Sequence, residues 1–107
     1  MVRGGLSQDH AQALAFYWLA AAQGLDWAQC ELGDMHKNAV AQDYVEALRL
    51  YQLAAAQGLP DALYLVAECH EYGLCVPENK AEAICWYRRA QAAGDSDAAD
   101  ELQRLGA

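Results

Sequence analysis

The chain is 107 residues long, enough for one modest core, and 55% of it is hydrophobic, which excludes a disordered chain. Fifteen acidic against seven basic residues give a net charge of −8, which argues against a nucleic-acid binder or a protein that docks on an anionic membrane. No apolar run approaches the roughly 20 residues that span a bilayer.

Met1 to Leu6, M-V-R-G-G-L, has no apolar core of a signal peptide. Residues 1–6 read as a disordered or expression-derived lead. Localisation is therefore unassigned: cytoplasmic is favoured, and periplasmic or secreted applies if a signal has been removed. Residues 7–107 read as one domain.

Asp9 to Gln23 reads as the first helix, with Asp9 as N-cap, Gln12 as its capping-box partner and Gly24 as the residue that ends it. Leu14, Ala15, Tyr17, Trp18 and Ala21 recur at three- and four-residue spacing. Asp26 to Lys37 reads as the second helix, packing through Ala28, Leu32 and Gly33, and 37–40 is a connection. The third helix is capped by Asp43, with Glu46 three residues on, and stops at Gly58. Leu59-Pro60-Asp61 opens a fourth helix running to Tyr72. A loop over 73–77 leads to a fifth helix capped by Asn79 and ended by Gly94. Asp95 or Ser96 starts a short sixth helix ending near Leu105.

The segments repeat. Ser7–Leu25, Ala41–Leu59 and Pro77–Asp95 are copies of one pattern, aligned on Tyr17, Tyr51 and Tyr87 and on Gly24, Gly58 and Gly94. The tyrosines are 34 and 36 residues apart. A period in the mid-thirties marks an array of helix pairs. The expectation is an all-α solenoid of about six helices in an antiparallel zigzag. The aromatic positions Phe16-Tyr17, Leu50-Tyr51 and Trp86-Tyr87 share one phase and read as the core between helices. Trp18 and Trp27 fall off that phase, and one or both read as exposed anchors.

This pattern resembles the Sel1-like repeat family, relatives of the tetratricopeptide repeats, whose unit reads A-x-x-x-L-G-x-x-Y-x-x-G-x-G-V-x-x-D-x-x-K-A-x-x-W-Y-x-x-A-A-x-x-G. Ala28, Leu32, Gly33, Val40, Asp43, Ala47, Tyr51, Ala54, Ala55 and Gly58 match one unit. Ala62, Gly73, Val76, Ala83, Trp86, Tyr87, Ala90 and Gly94 match the next. Repeat cores of about 26–59 and 60–95, with half-units on either side, follow. His36 and His70 replace the family tyrosine, Glu46 and Glu82 its lysine, and Cys75 its second glycine. The first unit is two residues shorter before Val40, so its loop closes more tightly.

The resemblance implies a right-handed α-α superhelix and a non-catalytic scaffold or adaptor for proteins or peptides, with no cofactor. A cysteine-rich bacterial branch is linked to β-lactam binding or hydrolysis, but Cys30, Cys69, Cys75 and Cys85 do not repeat with the unit. They read as free thiols; a disulfide framework is the alternative, and sequence does not choose a pairing. Cys69, His70 and Cys75 converge poorly for a metal, since adjacent helical residues diverge by about 100°. No nucleophile motif or phosphate loop is present.

Carried over by register, the inward positions are Trp27, Cys30, Asp34, Lys37, Asp61, Tyr64, Glu68, Glu71, Asp97, Asp100 and Arg104. Six of these eleven are acidic, two are basic and two are large aromatics. The expectation is an acidic concave groove for a basic or amphipathic peptide, formed by Trp27, Asp34, Asp61, Tyr64, Glu68, Glu71, Asp97 and Asp100. A second expectation is assembly through the uncapped end helices: the first helix presents Leu14, Phe16, Tyr17, Trp18 and Leu19 with no helix before it, implying a homodimer or partner contact centred on Trp18.

Overall fold

A computed structural model describes residues 3–37 and 43–107, with side chains from residue 12 onward. Six helices follow in order: α1 (Arg3–Ala22), α2 (Asp26–Lys37), α3 (Tyr44–Ala56), α4 (Pro60–Tyr72), α5 (Lys80–Ala92) and α6 (Ser96–Arg104). No strand occurs among the described residues. Each helix packs on the next, and the described residues form an elongated solenoid of 50 × 25 × 21 Å.

The helix ends follow local chemistry. Asp43 and Asn79 accept the Glu46 and Glu82 N–H groups, satisfying donors that the first turn leaves free. The reciprocal half of a capping box is absent. Glu46 instead pairs with Arg49, and the Glu82 carboxylate accepts from Trp86 Nε1 at 3.1 Å. Pro60 sits in the first turn of α4, where its missing N–H costs nothing. Gly73 ends α4 in the left-handed conformation at φ +68°.

One boundary departs from the sequence reading. α1 begins at Arg3, so Asp9 lies inside the helix instead of capping it. The Gly4-Gly5 pair does not interrupt it, since helix-interior glycine costs only about 1 kcal/mol per residue, which neighbouring turns override. The tight connection expected over 38–40 lies outside the described residues.

Small residues let the helices approach. Ala28, Ala47, Ala54, Ala62, Ala67, Ala83, Ala90 and Ala98 are all fully buried. Between them sit Tyr51 and Tyr87, the two largest fully buried side chains. A Cβ on Gly33 would stand 2.8 Å from Tyr51 Cε1 and 3.2 Å from the Ala47 carbonyl oxygen, so only glycine fits beneath that ring. Tyr17, at the same phase in α1, is half-buried, and Phe16 is 58% exposed. Phe16 therefore does not belong to the inter-helix core as its phase suggested. The core position needs a helix on both sides, and no described helix precedes α1.

Tyr51→Ala is expected to cost about 3 kcal/mol in chemical denaturation, as for other large buried aromatics. Gly33→Ala should cost about 1–3 kcal/mol by overpacking against that ring, measured the same way.

Candidate binding surface

α2, α4 and α6 contribute the positions carried over as inward-facing. Asp61, Asp97 and Asp100 are exposed, and Asp34, Lys37, Tyr64 and Glu68 are half-buried. Their fields overlap. Glu68 is pushed above the usual carboxylate range first by burial, then by Glu101, Glu71 and Asp34, while Lys37 opposes the rise. Cys30 is pushed up to about 12, mainly by burial and then by Asp34, Asp61 and Glu31. Residues from three helices thus form one acidic environment, and Lys37 is the cation that acts on both Cys30 and Glu68.

Two tyrosine hydroxyls hold carboxylates of this register. Tyr51 donates to Asp34, and Tyr87 donates to Glu71 at 2.7 Å. Each hydroxyl is pushed well above its usual range, first by burial and then by that hydrogen bond. The two acids differ in register. Asp34 lies one residue beyond Gly33, whereas Glu71 comes from a full turn later in its repeat and reaches back with a longer side chain.

Glu71 is the main departure from the expected groove. It is 1% exposed and accepts from Tyr87 and from Arg104 Nη2 at 2.6 Å. Burial opposes its ionisation, but the Tyr87 and Arg104 hydrogen bonds together hold its pKa below the usual range. Arg104 also donates through Nε to Glu101 at 2.7 Å. Helical register gave Glu71 a groove position; its partners turn it into a buried anchor for α6.

Tyr64 also has an internal role. Its ring meets Tyr87 edge-on at 5.3 Å, and its hydroxyl donates to Glu101 at 3.1 Å. Trp27 is 43% exposed, with its ring against Phe16 and Tyr17 at 6.2 and 6.0 Å. It belongs to an aromatic cluster joining α1 to α2. Of the acids expected in the groove, Asp61, Asp97 and Asp100 are exposed, Asp34 and Glu68 are half-buried, and Glu71 alone is buried.

The sequence missed a second concavity. Trp18, Ala21, Ala22 and Gly24 from α1 and its terminus, Gln29 and Leu32 from α2, and Arg49, Leu50 and Leu53 from α3 line a cleft of about 320 Å³. The Gln57 amide ties its edge, donating to the Gly24 carbonyl at 2.9 Å and to Gln29 Oε1 at 3.0 Å. Trp18 and Leu19 are 51% and 67% exposed. The apolar run of α1 was legible, but a cleft between helices 30 residues apart in the chain was not.

Cys30 and Cys69 are buried free thiols, and Cys75 and Cys85 are exposed ones. Cys69 is pushed up to about 11, mainly by burial. Thiols raised in this way are poor nucleophiles at neutral pH. No cluster of three or more metal-ligating side chains occurs among the described residues. His70 stacks on Trp86 at 6.2 Å, with the Arg89 guanidinium 4.4 Å from the Trp86 ring centre. The two replacement histidines also mark the loops. His36 and His70 carbonyls accept from the Asp43 and Asn79 N–H groups at 2.9 and 2.7 Å.

A family model described as Sel1 repeat matches residues 3–25, 28–59 and 60–95. A Sel1 repeat protein from Oxalobacter formigenes superposes with a TM-score of 0.80 at 34% identity, over 85% of this chain and 38% of that one. c5321, a protective antigen present in uropathogenic Escherichia coli strains and displaying an SLR fold, superposes with a TM-score of 0.80 at 30% identity, over 86% and 20%. The chain therefore spans well under half the length of both solved structures. No curated protein matches the chain.

Acid should loosen the α6 anchor. A carboxylate whose folded pKa is depressed contributes stability above its unfolded pKa, near 4.5, and loses it as pH falls through the folded value. Glu68, raised by burial, acts with the opposite sign: its contribution is present below 4.5 and is lost as pH rises. In thermal melts from about pH 6 to about pH 3, Glu71→Gln should lower Tm at the upper end and flatten the acid-side fall. Glu68→Gln should leave that fall at least as steep.

Proposed function

Because the chain belongs to the Sel1 repeat family, whose members generally act as protein–protein interaction scaffolds and are typically not catalysts, we propose that it is a non-catalytic adaptor that holds a basic peptide segment on the α2–α4–α6 face. The observation that carries this reading is the field that Asp34, Asp61, Glu68 and Asp97, from three helices, cast on the groups between them. Like charges gathered on one surface repel, and a lysine- or arginine-bearing segment relieves that repulsion through charge-assisted hydrogen bonds. Trp27 at one end supplies an aromatic face for a cationic stem. The buried thiols of Cys30 and Cys69 are raised out of the nucleophilic range, which supports a binding role over chemistry at those two positions.

A second reading rests on a separate observation. Residues 12–25 carry no charge, and Phe16, Trp18 and Leu19 are exposed. A face of that kind suits a protein contact. On this reading α1 is an assembly surface, and Trp18→Glu disrupts whatever complex it makes.

The groove is tested with exposed acids only, because Glu71 is buried and its loss would compromise the fold. Asp61→Lys with Asp97→Lys should weaken binding of a lysine- and arginine-rich peptide at least tenfold by titration calorimetry, with the helical signal in circular dichroism retained. Wild-type affinity should fall as salt rises through about 0.1 M, where screening acts over about 10 Å. Salt-independent binding, or unchanged affinity in the double variant, would place the peptide elsewhere.

A further inference from the structure

α5 is the one helix whose bases outnumber its acids. It carries Lys80, Arg88 and Arg89 against Glu82, in a chain where acids lead by fifteen to seven. Glu82 is already engaged by the Trp86 indole N–H, and Lys80 by Glu78. Arg49 and Arg104 also have carboxylates beside them. Arg88 and Arg89 are exposed and pair with no carboxylate among the described residues.

Arg89 is held in place. Its guanidinium lies over the Trp86 ring, 4.4 Å from the ring centre. That ring is fixed in turn by its Nε1 bond to Glu82 at 3.1 Å and by the near-parallel His70 ring, with centres 6.2 Å apart. A guanidinium resting on an aromatic face keeps its N–H edges free for a carboxylate and has little further freedom to lose on binding. The C-terminal end of α5 favours a cation nearby without neutralising it. Tryptophan and arginine are also the residue types that most often carry the energy of protein contacts.

The exposure of these side chains is set by the repeat. Arg88 and Arg89 stand where the preceding unit has Gln52 and Leu53, 36 residues earlier. Both of those are exposed, although α3 lies between α1 and α5 in the array. Leu50 and Leu53 line a cleft that α3 shares with α1. Trp86 and Arg89, at the same positions in α5, therefore face back toward α3 and not toward the end of the chain.

Two facts select the occupant. The first is charge, since two unpaired guanidinium groups call for carboxylates. The second is extent. The patch covers neighbouring positions of one helix, and the rest of the chain is strongly acidic. A long polyanion or an anionic bilayer would meet those other carboxylates, whereas a short stretch of chain would not.

We propose that Trp86, Arg88 and Arg89 form a docking site for a short acidic segment of a partner protein, with Arg89 taking one carboxylate through two parallel N–H bonds and Arg88 taking another. The site uses none of the acids of the α2–α4–α6 face, so its failure leaves the reading of that face untouched. With both surfaces in use, one small array joins a basic segment to an acidic one.

Fluorescence anisotropy of the whole chain against a labelled glutamate–serine peptide tests it, with the glutamine–serine peptide as control. Wild type should bind the glutamate peptide with a Kd below about 1 mM and the control about tenfold more weakly. Arg88→Gln with Arg89→Gln should remove the preference while keeping the helical signal in circular dichroism, because both side chains are exposed. Arg89→Lys keeps the charge but loses the flat fork, and should weaken binding several-fold. Trp86→Leu, the residue of the preceding unit at this position, should do the same by releasing Arg89; if it does not fold, Arg89→Lys carries the test alone. Equal binding of the two peptides by wild type overturns the site. Wild-type affinity in Arg89→Lys overturns the stacked arginine as carboxylate receptor. Tighter binding of oligothymidylate or of phosphatidylserine vesicles than of the glutamate peptide, lost in the double glutamine variant, overturns the protein segment as occupant.

Discussion

The structure depends on a tyrosine buried at the junction of successive helix pairs. Tyr51 lies on Gly33, and Tyr51 and Tyr87 are set among alanines whose small side chains let backbones come close. Burying a ring of that size supplies much of the apolar area of so small a domain. It also brings a hydroxyl into the interior, which needs a partner. Asp34 and Glu71 are those partners, so the packing that holds the array together also fixes two carboxylates. Core and surface chemistry are therefore joined through a single residue type.

Much of the fold was readable because each element carried its own punctuation. Asp43, Asn79 and Asp95 cap helices, Pro60 opens one, and Gly24, Gly58, Gly73 and Gly94 sit at positive φ after them. These are local signals, and the period of the tyrosines added the tertiary order. The start of α1 was misplaced because Asp9, a good N-cap residue, is also tolerated inside a helix. Residues 38–42, where the two repeats differ in length, lie outside the described residues.

The surface was less legible, for a physical reason. Register assigns a side chain to a face, but it does not say whether a neighbour has already engaged it. Glu68 and Glu71 looked alike in sequence, yet Glu71 is fully committed to Tyr87 and Arg104. Register places Tyr64 in the groove, and its hydroxyl and ring link α4 to α6 and α5. Arg104, at the position that Asp34 and Glu68 hold in earlier units, was counted only as one of two groove cations. Its sequence separation from Glu71 conceals the pairing. The α1–α3 cleft depends on what two distant helices fail to fill, which no local pattern records.

The loops between the paired helices show how such an array can vary. The same carbonyl-to-amide bond closes both, from His36 to Asp43 across seven residues and from His70 to Asn79 across nine. The anchor points are a helix-terminal carbonyl and a cap residue that then starts the next helix through its own side chain. Both bonds form although the chain between them differs by two residues. Length variation at this point is thus insulated from the core, so these loops can accept or lose residues while the phase of the tyrosines is kept. A repeat protein with this device can diversify one edge of its surface by insertion and hold its spacing constant.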